Sequence, residues 1–133
     1  MMMAKKLSTR DEAKSPATVL VVEDEPLLRY ALASELDAAG FRVLEAGNTA
    51  EAETVLAADS PVDVLVTDVQ MPGPHDGMVL ARMVRDQWPE TKVIVASGRP
   101  PPDCVSAVAD AFYGKPYDLG RVIGHIETLT RRS

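Results

Sequence analysis

From residue 18 onward the chain alternates short β-branched runs with stretches of helical period, and nothing else in the sequence restricts its fold so tightly. The runs are TVLVV (18–22), RVLEA (42–46), VDVLVT (62–67), KVIVAS (92–97) and a weaker AFY (111–113). Leu28, Ala31, Leu32 and Leu36 recur at helical spacing before the turn at Ala39-Gly40, and Glu51 to Ala58 form a second helical stretch ahead of Ser60-Pro61. Met78 to Trp88, stopped by Pro89, is a third, and Leu119, Val122, Ile123, Ile126 and Leu129 mark one face of the last. The predicted order is (βα)5. Strands that are apolar on both faces and joined by helices imply an α/β three-layer sandwich around a central five-stranded parallel sheet. Right-handed crossovers then bring the carboxyl ends of all the strands to one edge, where sheets of this kind place their sites.

The residues that follow the strands are chemically distinctive. Glu23 and Asp24 follow the first, Asp68 the third, Ser97 ends the fourth, and Lys115-Pro116 follows the fifth. If Glu23, Asp24 and Asp68 share one sheet edge, their like charges all stay ionised only with a hard cation among them. Mg²⁺ suits such a site, because it takes oxygen ligands and keeps waters and phosphate oxygens in its shell. A carboxylate beside that cation, with a hydroxyl and an ammonium opposite, is laid out for phosphoryl transfer onto the carboxylate itself. Asp68 is then the nucleophile, and Ser97 and Lys115 meet the oxygens of the transferred group.

The pieces VLVVEDEP, VDVLVTDVQMPG followed by DG, VIVASG and GKPYDL, in this order, resemble the response-regulator receiver family of two-component signalling, over about residues 17 to 131. The resemblance implies a flavodoxin-like fold, Asp68 as phosphoacceptor, and Glu23 with Asp24 holding Mg²⁺ directly or through water. It implies that the backbone carbonyl of Gln70 completes the protein's share of the metal shell, that Ser97 and Lys115 contact the phosphoryl group, and that the Lys115–Pro116 bond is cis. Phe112 falls where the family has its switch aromatic, with Ser97 as the other switch residue. The implied partners are a histidine kinase or histidine phosphotransfer protein and a downstream protein of unknown kind. The chain catalyses only its own phosphorylation and dephosphorylation in this reading, as a monomer or weak dimer.

Two spacings depart from the commonest receivers. The loop MPGPHD is longer than usual by a single residue, and only seventeen residues separate Ser97 from Lys115, which is fewer than is common. Pro100, Pro101 and Pro102 forbid helix through the first turn, so the fourth helix is expected to be little more than Asp103 to Asp110 and loosely held. Tyr113 is expected on the face opposite Phe112. Cys104, the one cysteine, reads as a small buried or half-buried hydrophobe in a reducing compartment, and His75 and His125 as surface or rim histidines.

Composition narrows the function further. At 133 residues and 46% hydrophobic content the chain fits one folded domain, with no apolar run long enough to span a bilayer. Its net charge is −6, but the first sixteen residues carry four positive charges against two negative, so the remainder is −8. That excess argues against nucleic acid and anionic membrane as partners. Residues 1 to 16 read as a disordered leader without a secretory h-region, residues 17 to 133 as the receiver domain without an output domain, and the location as cytoplasmic. Other readings are a pseudo-receiver that binds partners without phosphate and a receiver fragment of a hybrid histidine kinase. A haloacid-dehalogenase-type phosphatase would need an acid where Gln70 stands, and a dinucleotide-binding protein would need a glycine-rich loop where Glu23-Asp24-Glu25 stands.

Overall fold

The apolar runs become the strands of a single sheet in a computed structural model, which describes residues 16–58, 61–71, 73, 75–101 and 103–131. The strands β1 (Thr18–Val22), β2 (Arg42–Ala46), β3 (Val64–Asp68), β4 (Lys92–Ser97) and β5 (Ala111–Gly114) pair in parallel in the order β2-β1-β3-β4-β5. Between them run α1 (Pro26–Ala38), α2 (Thr49–Ala57), α3 (Gly77–Gln87) and the four-residue α4 (Val105–Val108), and α5 (Leu119–Thr130) closes the fold. The chain steps outward from β1 to β2 and then reverses to β3, so the topological switch point lies between β1 and β3. The expected leader lies outside the described residues, apart from Pro16.

Every residue of β1 and β3 is buried, as their unbroken apolar sequences require of strands covered on both faces. The period of two sorts their side chains into two cores. Leu20, Val22, Leu65, Val93 and Val95 meet Ala52 and Leu56 of α2, Leu80, Ala81 and Val84 of α3, and Val108 of α4. On the other face Val19, Val21, Val64, Val66 and Ile94 meet Leu32 and Leu36 of α1 and Val122 and Ile126 of α5. Phe112 packs into the first core and Tyr113 into the second, the opposite facing expected of strand neighbours.

The helix starts that the apolar pattern misplaces are set by caps. Asn48 accepts the N–H of Glu51 and starts α2 at Thr49, and Asp76 accepts those of Met78 and Val79 and starts α3 at Gly77. The third strand begins later than expected, where Asp63 turns its carboxylate to the N–H of Thr18 (2.8 Å), and runs on through Asp68, which pairs with Ala96 of β4. One expectation of burial is corrected: Cys104 is exposed, because it precedes a helix too short to cover it, in which only Val108 is buried. The buried stripe of α1 runs through Leu32, Ala33 and Leu36, and Leu28 is 43% exposed.

Candidate functional site

At the carboxyl ends of β1, β3, β4 and β5 the sheet gathers the residues that the sequence singled out. Glu23 continues β1, and all of its polar groups are held: its N–H donates to Ala46 O (3.1 Å), its carbonyl accepts Arg29 Nη1 (2.8 Å), and its carboxylate accepts Glu25 N–H (3.1 Å) and Lys115 Nζ (2.7 Å). The same ammonium reaches Asp68 Oδ2 at 3.0 Å, so Lys115 bridges the two buried acids. Its own backbone N–H donates to Ser97 O (2.8 Å), which registers the end of β5 on that of β4, and the Lys115–Pro116 bond is cis.

The Lys115 ammonium thus brings one positive charge to Glu23 and Asp68 together. Burial nevertheless pushes the Glu23 carboxyl above its ordinary value, against the pull of its hydrogen bond to Lys115. Burial works to lower the pKa of Lys115, but its hydrogen bonds to Glu23 and Asp68 outweigh it and leave that pKa raised.

Asp24 is exposed at the rim, and one carboxylate oxygen each of Glu23, Asp24 and Asp68 lie within 4.8 Å of one another. Among the described residues, Asp68 Oδ1 is a buried side-chain oxygen with no hydrogen-bond partner. An unmatched buried carboxylate oxygen beside two further acids is a fit for a hard divalent cation such as Mg²⁺. Beside them opens a cleft of about 470 Å³ lined by Asp24, Val69, Gln70, Met71, Asp76 and Arg99.

Ser97 is 1% exposed, and its hydroxyl donates to Gln70 Oε1 (2.7 Å) while accepting the N–H of Arg99 (3.1 Å). The hydroxyl is therefore committed to the rim of the cleft, and the Gln70 side chain has a partner that its place in the sequence does not announce. Phe112 is half-buried against the first core. His75 is exposed, with Nδ1 4.0 Å from Glu53, whereas His125 is half-buried and its Nδ1 lies 2.7 Å from the Tyr113 hydroxyl, a pairing that sequence reasoning missed. Gly77 and Arg29 also went unremarked as site residues. Helical spacing gives a weak signal for Arg29, which sits about one turn beyond Glu25, the N-cap of α1.

A doubly wound sheet with acids, a hydroxyl and a lysine at its switch point defines a class of α/β domain suited to binding a cation and a phosphoryl group. The sequence matches the response regulator receiver domain over residues 19–127, and the chain belongs to that family. It is 34% identical over 124 residues to the transcriptional regulatory protein AruR of Pseudomonas aeruginosa, covering 86% of this chain and 49% of that protein. It is 33% identical over 118 residues to the KDP operon transcriptional regulatory protein KdpE of Escherichia coli, covering 86% and 51%. The chain thus spans about half the length of these relatives. Among solved structures it resembles the response regulator TrrA of Thermotoga maritima in complex with Mg²⁺-BeF (TM-score 0.76, 27% identity, covering 85% of this chain and 98% of that one). It also resembles a response regulator receiver protein of Sinorhizobium medicae (TM-score 0.78, 29% identity, covering 86% and 94%). The flavodoxin-like (βα)5 architecture is that of these domains. No helix among the described residues is long and apolar enough to cross a membrane.

Proposed function

We propose that Asp68 accepts a phosphoryl group from the phosphohistidine of a histidine kinase or phosphotransfer protein, and that the chain signals through the phosphorylated form. The observation that carries this reading is the asymmetry of the Asp68 carboxylate: Lys115 holds Oδ2, while Oδ1 is buried yet unpartnered. One carboxylate oxygen of Asp68 forms the new P–O bond as the P–N bond to the donor imidazole breaks, with the electron pair leaving on the imidazole, while the other remains for the cation. Glu23, Asp24, Asp68 and the Gln70 carbonyl would hold Mg²⁺, which when bound offsets the charge that gathers on the transferred group. Lys115 moves from bridging two carboxylates to meeting a phosphoryl oxygen. Ser97 releases Gln70 to donate to another, and Phe112 follows as the switch aromatic. The output is phosphorylation-dependent binding of a partner protein, or the draining of phosphate from a kinase, in the cytoplasm. The protein's chemistry is confined to its own phosphorylation and dephosphorylation.

The test is intact-mass analysis after incubation with acetyl phosphate and Mg²⁺. One added phosphoryl group is expected, labile to hydroxylamine, absent without Mg²⁺ and absent from Asp68→Asn. An adduct that persists in Asp68→Asn overturns the assignment of the acceptor. A protein that takes no phosphate but still captures its partner is a pseudo-receiver.

A further inference from the structure

Glu23 and Asp24 are adjacent, yet they are held very differently. Three of the four tethers on Glu23 come from backbone or from the lysine already assigned to the site. The fourth is a side chain with no other task in the chemistry. Arg29 lies one turn into α1, and its guanidinium donates from Nη1 to the Glu23 carbonyl (2.8 Å) while Nε pairs with Glu45 Oε1 near the end of β2 (3.3 Å). The Arg29 side chain is only 24% exposed, and the loop after β2 leaves room for it: a Cβ on Gly47 would stand 3.2 Å from Nη1. A planar fork that grips a carbonyl and a carboxylate at once fixes both partners, which a lysine cannot do.

The carbonyl so gripped belongs to the peptide that joins Glu23 to Asp24, and the orientation of that peptide decides where the Asp24 carboxylate points. We propose that Arg29 is the positioning residue of the acidic turn: by stapling the Glu23 carbonyl to the end of β2 it holds Asp24 within reach of Asp68 for the cation. This rests on the reading of the acids as a Mg²⁺ site. It also has a sign that separates it from plain electrostatics. Removing a positive charge near a cation site, by itself, tightens cation binding. Removing a staple that aims a ligand weakens it, by about tenfold for supports of this kind.

The experiment is titration of the full chain with Mg²⁺ alone, followed by the amide shifts of Glu23, Asp24 and Val69. Spectral dispersion in the same data reports whether each variant is folded. Arg29→Met is expected to bind Mg²⁺ about tenfold more weakly than wild type. Arg29→Lys, which keeps the charge and loses the fork, is expected to fall between them, so it carries the test should Arg29→Met fail to fold. Glu45→Ala weakens binding on its own and adds nothing to Arg29→Met, as two parts of one staple must. Binding in folded Arg29→Met as tight as wild type, or tighter, overturns the inference and leaves the metal site standing. A wild-type protein without a saturable Mg²⁺ shift at Asp24 removes the metal site, and the inference with it.

Discussion

Gly77 lies against the backbone carbonyl of Asp68 with no room between them for even a methyl group. Its own N–H donates to Val69 O (2.9 Å), so the first turn of α3 is seated directly on the end of β3 that carries Asp68. Here the glycine serves close approach rather than an unusual backbone angle. Gly77→Ala must push α3 away or tilt the Asp68 peptide. A destabilisation of about 1–3 kcal/mol is expected from overpacking of this kind, read by urea denaturation, together with slower labelling by acetyl phosphate. Unchanged stability and labelling would show that the strand end yields without consequence.

Lys115 gives a second prediction, because it is the positive charge shared by Glu23 and Asp68. Lys115→Met leaves two buried carboxylates facing each other and should cost about 3 kcal/mol. Mg²⁺ supplies the missing charge, so saturating Mg²⁺ should raise the melting temperature of Lys115→Met by more than that of wild type. Thermal melts with and without the ion decide; an equal rise in both proteins would mean that lysine and metal do not answer the same charge.

Gln70 and Ser97 give a third. The Ser97 hydroxyl has one proton, now given to Gln70 Oε1, and it cannot also donate to a phosphoryl oxygen. Gln70→Met removes the competing acceptor at similar volume. Tighter binding of beryllofluoride with Mg²⁺ is expected, by about fivefold for the release of one hydrogen bond, and the gain should vanish in the background of Ser97→Ala. A Gln70→Met gain that survives in Ser97→Ala would place the effect elsewhere.

How far the sequence foretold these pairings differs by scale. β1, β2 and β4 fall on the predicted spans because continuous β-branched runs leave little choice of element. Glu23, Asp24, Asp68, Ser97 and Lys115 converge because parallel topology sends every strand's carboxyl end to one edge. What periodicity does not carry is which polar atom meets which. Gln70 and Ser97 are 27 residues apart, and nothing local marks them as a pair. Arg29 was hidden for the same reason, since an arginine on the first turns of a helix looks like an ordinary surface charge. The exposure of Cys104 follows from the shortness of α4, which the prolines signalled, and departs from the buried or half-buried hydrophobe that its residue type suggests.

A fourth prediction concerns the stretch after β4. Arg99 N–H to Ser97 Oγ ties its beginning to the sheet, and Asp110 ties its end, through Val93 N–H (2.8 Å) and Arg85 (3.1 Å). Between these anchors Pro100 and Pro101 offer no donor, and Val108 is the buried residue of α4. Phosphorylation that draws Ser97 inward acts on the first anchor while the second holds. Residues 98–110 are expected to gain hydrogen-exchange protection with beryllofluoride and Mg²⁺, and Ser97→Ala should abolish the gain without preventing the phosphorylation of Asp68. Equal protection in both states would end the idea of an ordering switch.

Lys115 meets a carboxylate 92 residues earlier in the chain and another 47 residues earlier. A chain emerging from the ribosome exposes Glu23, Asp24 and Asp68 well before it delivers the lysine that reconciles two of them. Until β5 docks, Glu23, Asp24 and Asp68 are mutually repelling acids without the ammonium that pairs with two of them. Contacts this distant slow folding, because the intervening loop must close before they reward it. If Asp68 is the acceptor proposed above, its competence to carry phosphate depends on a completed fold, and acetyl phosphate labelling doubles as an assay of whether the last strand has arrived.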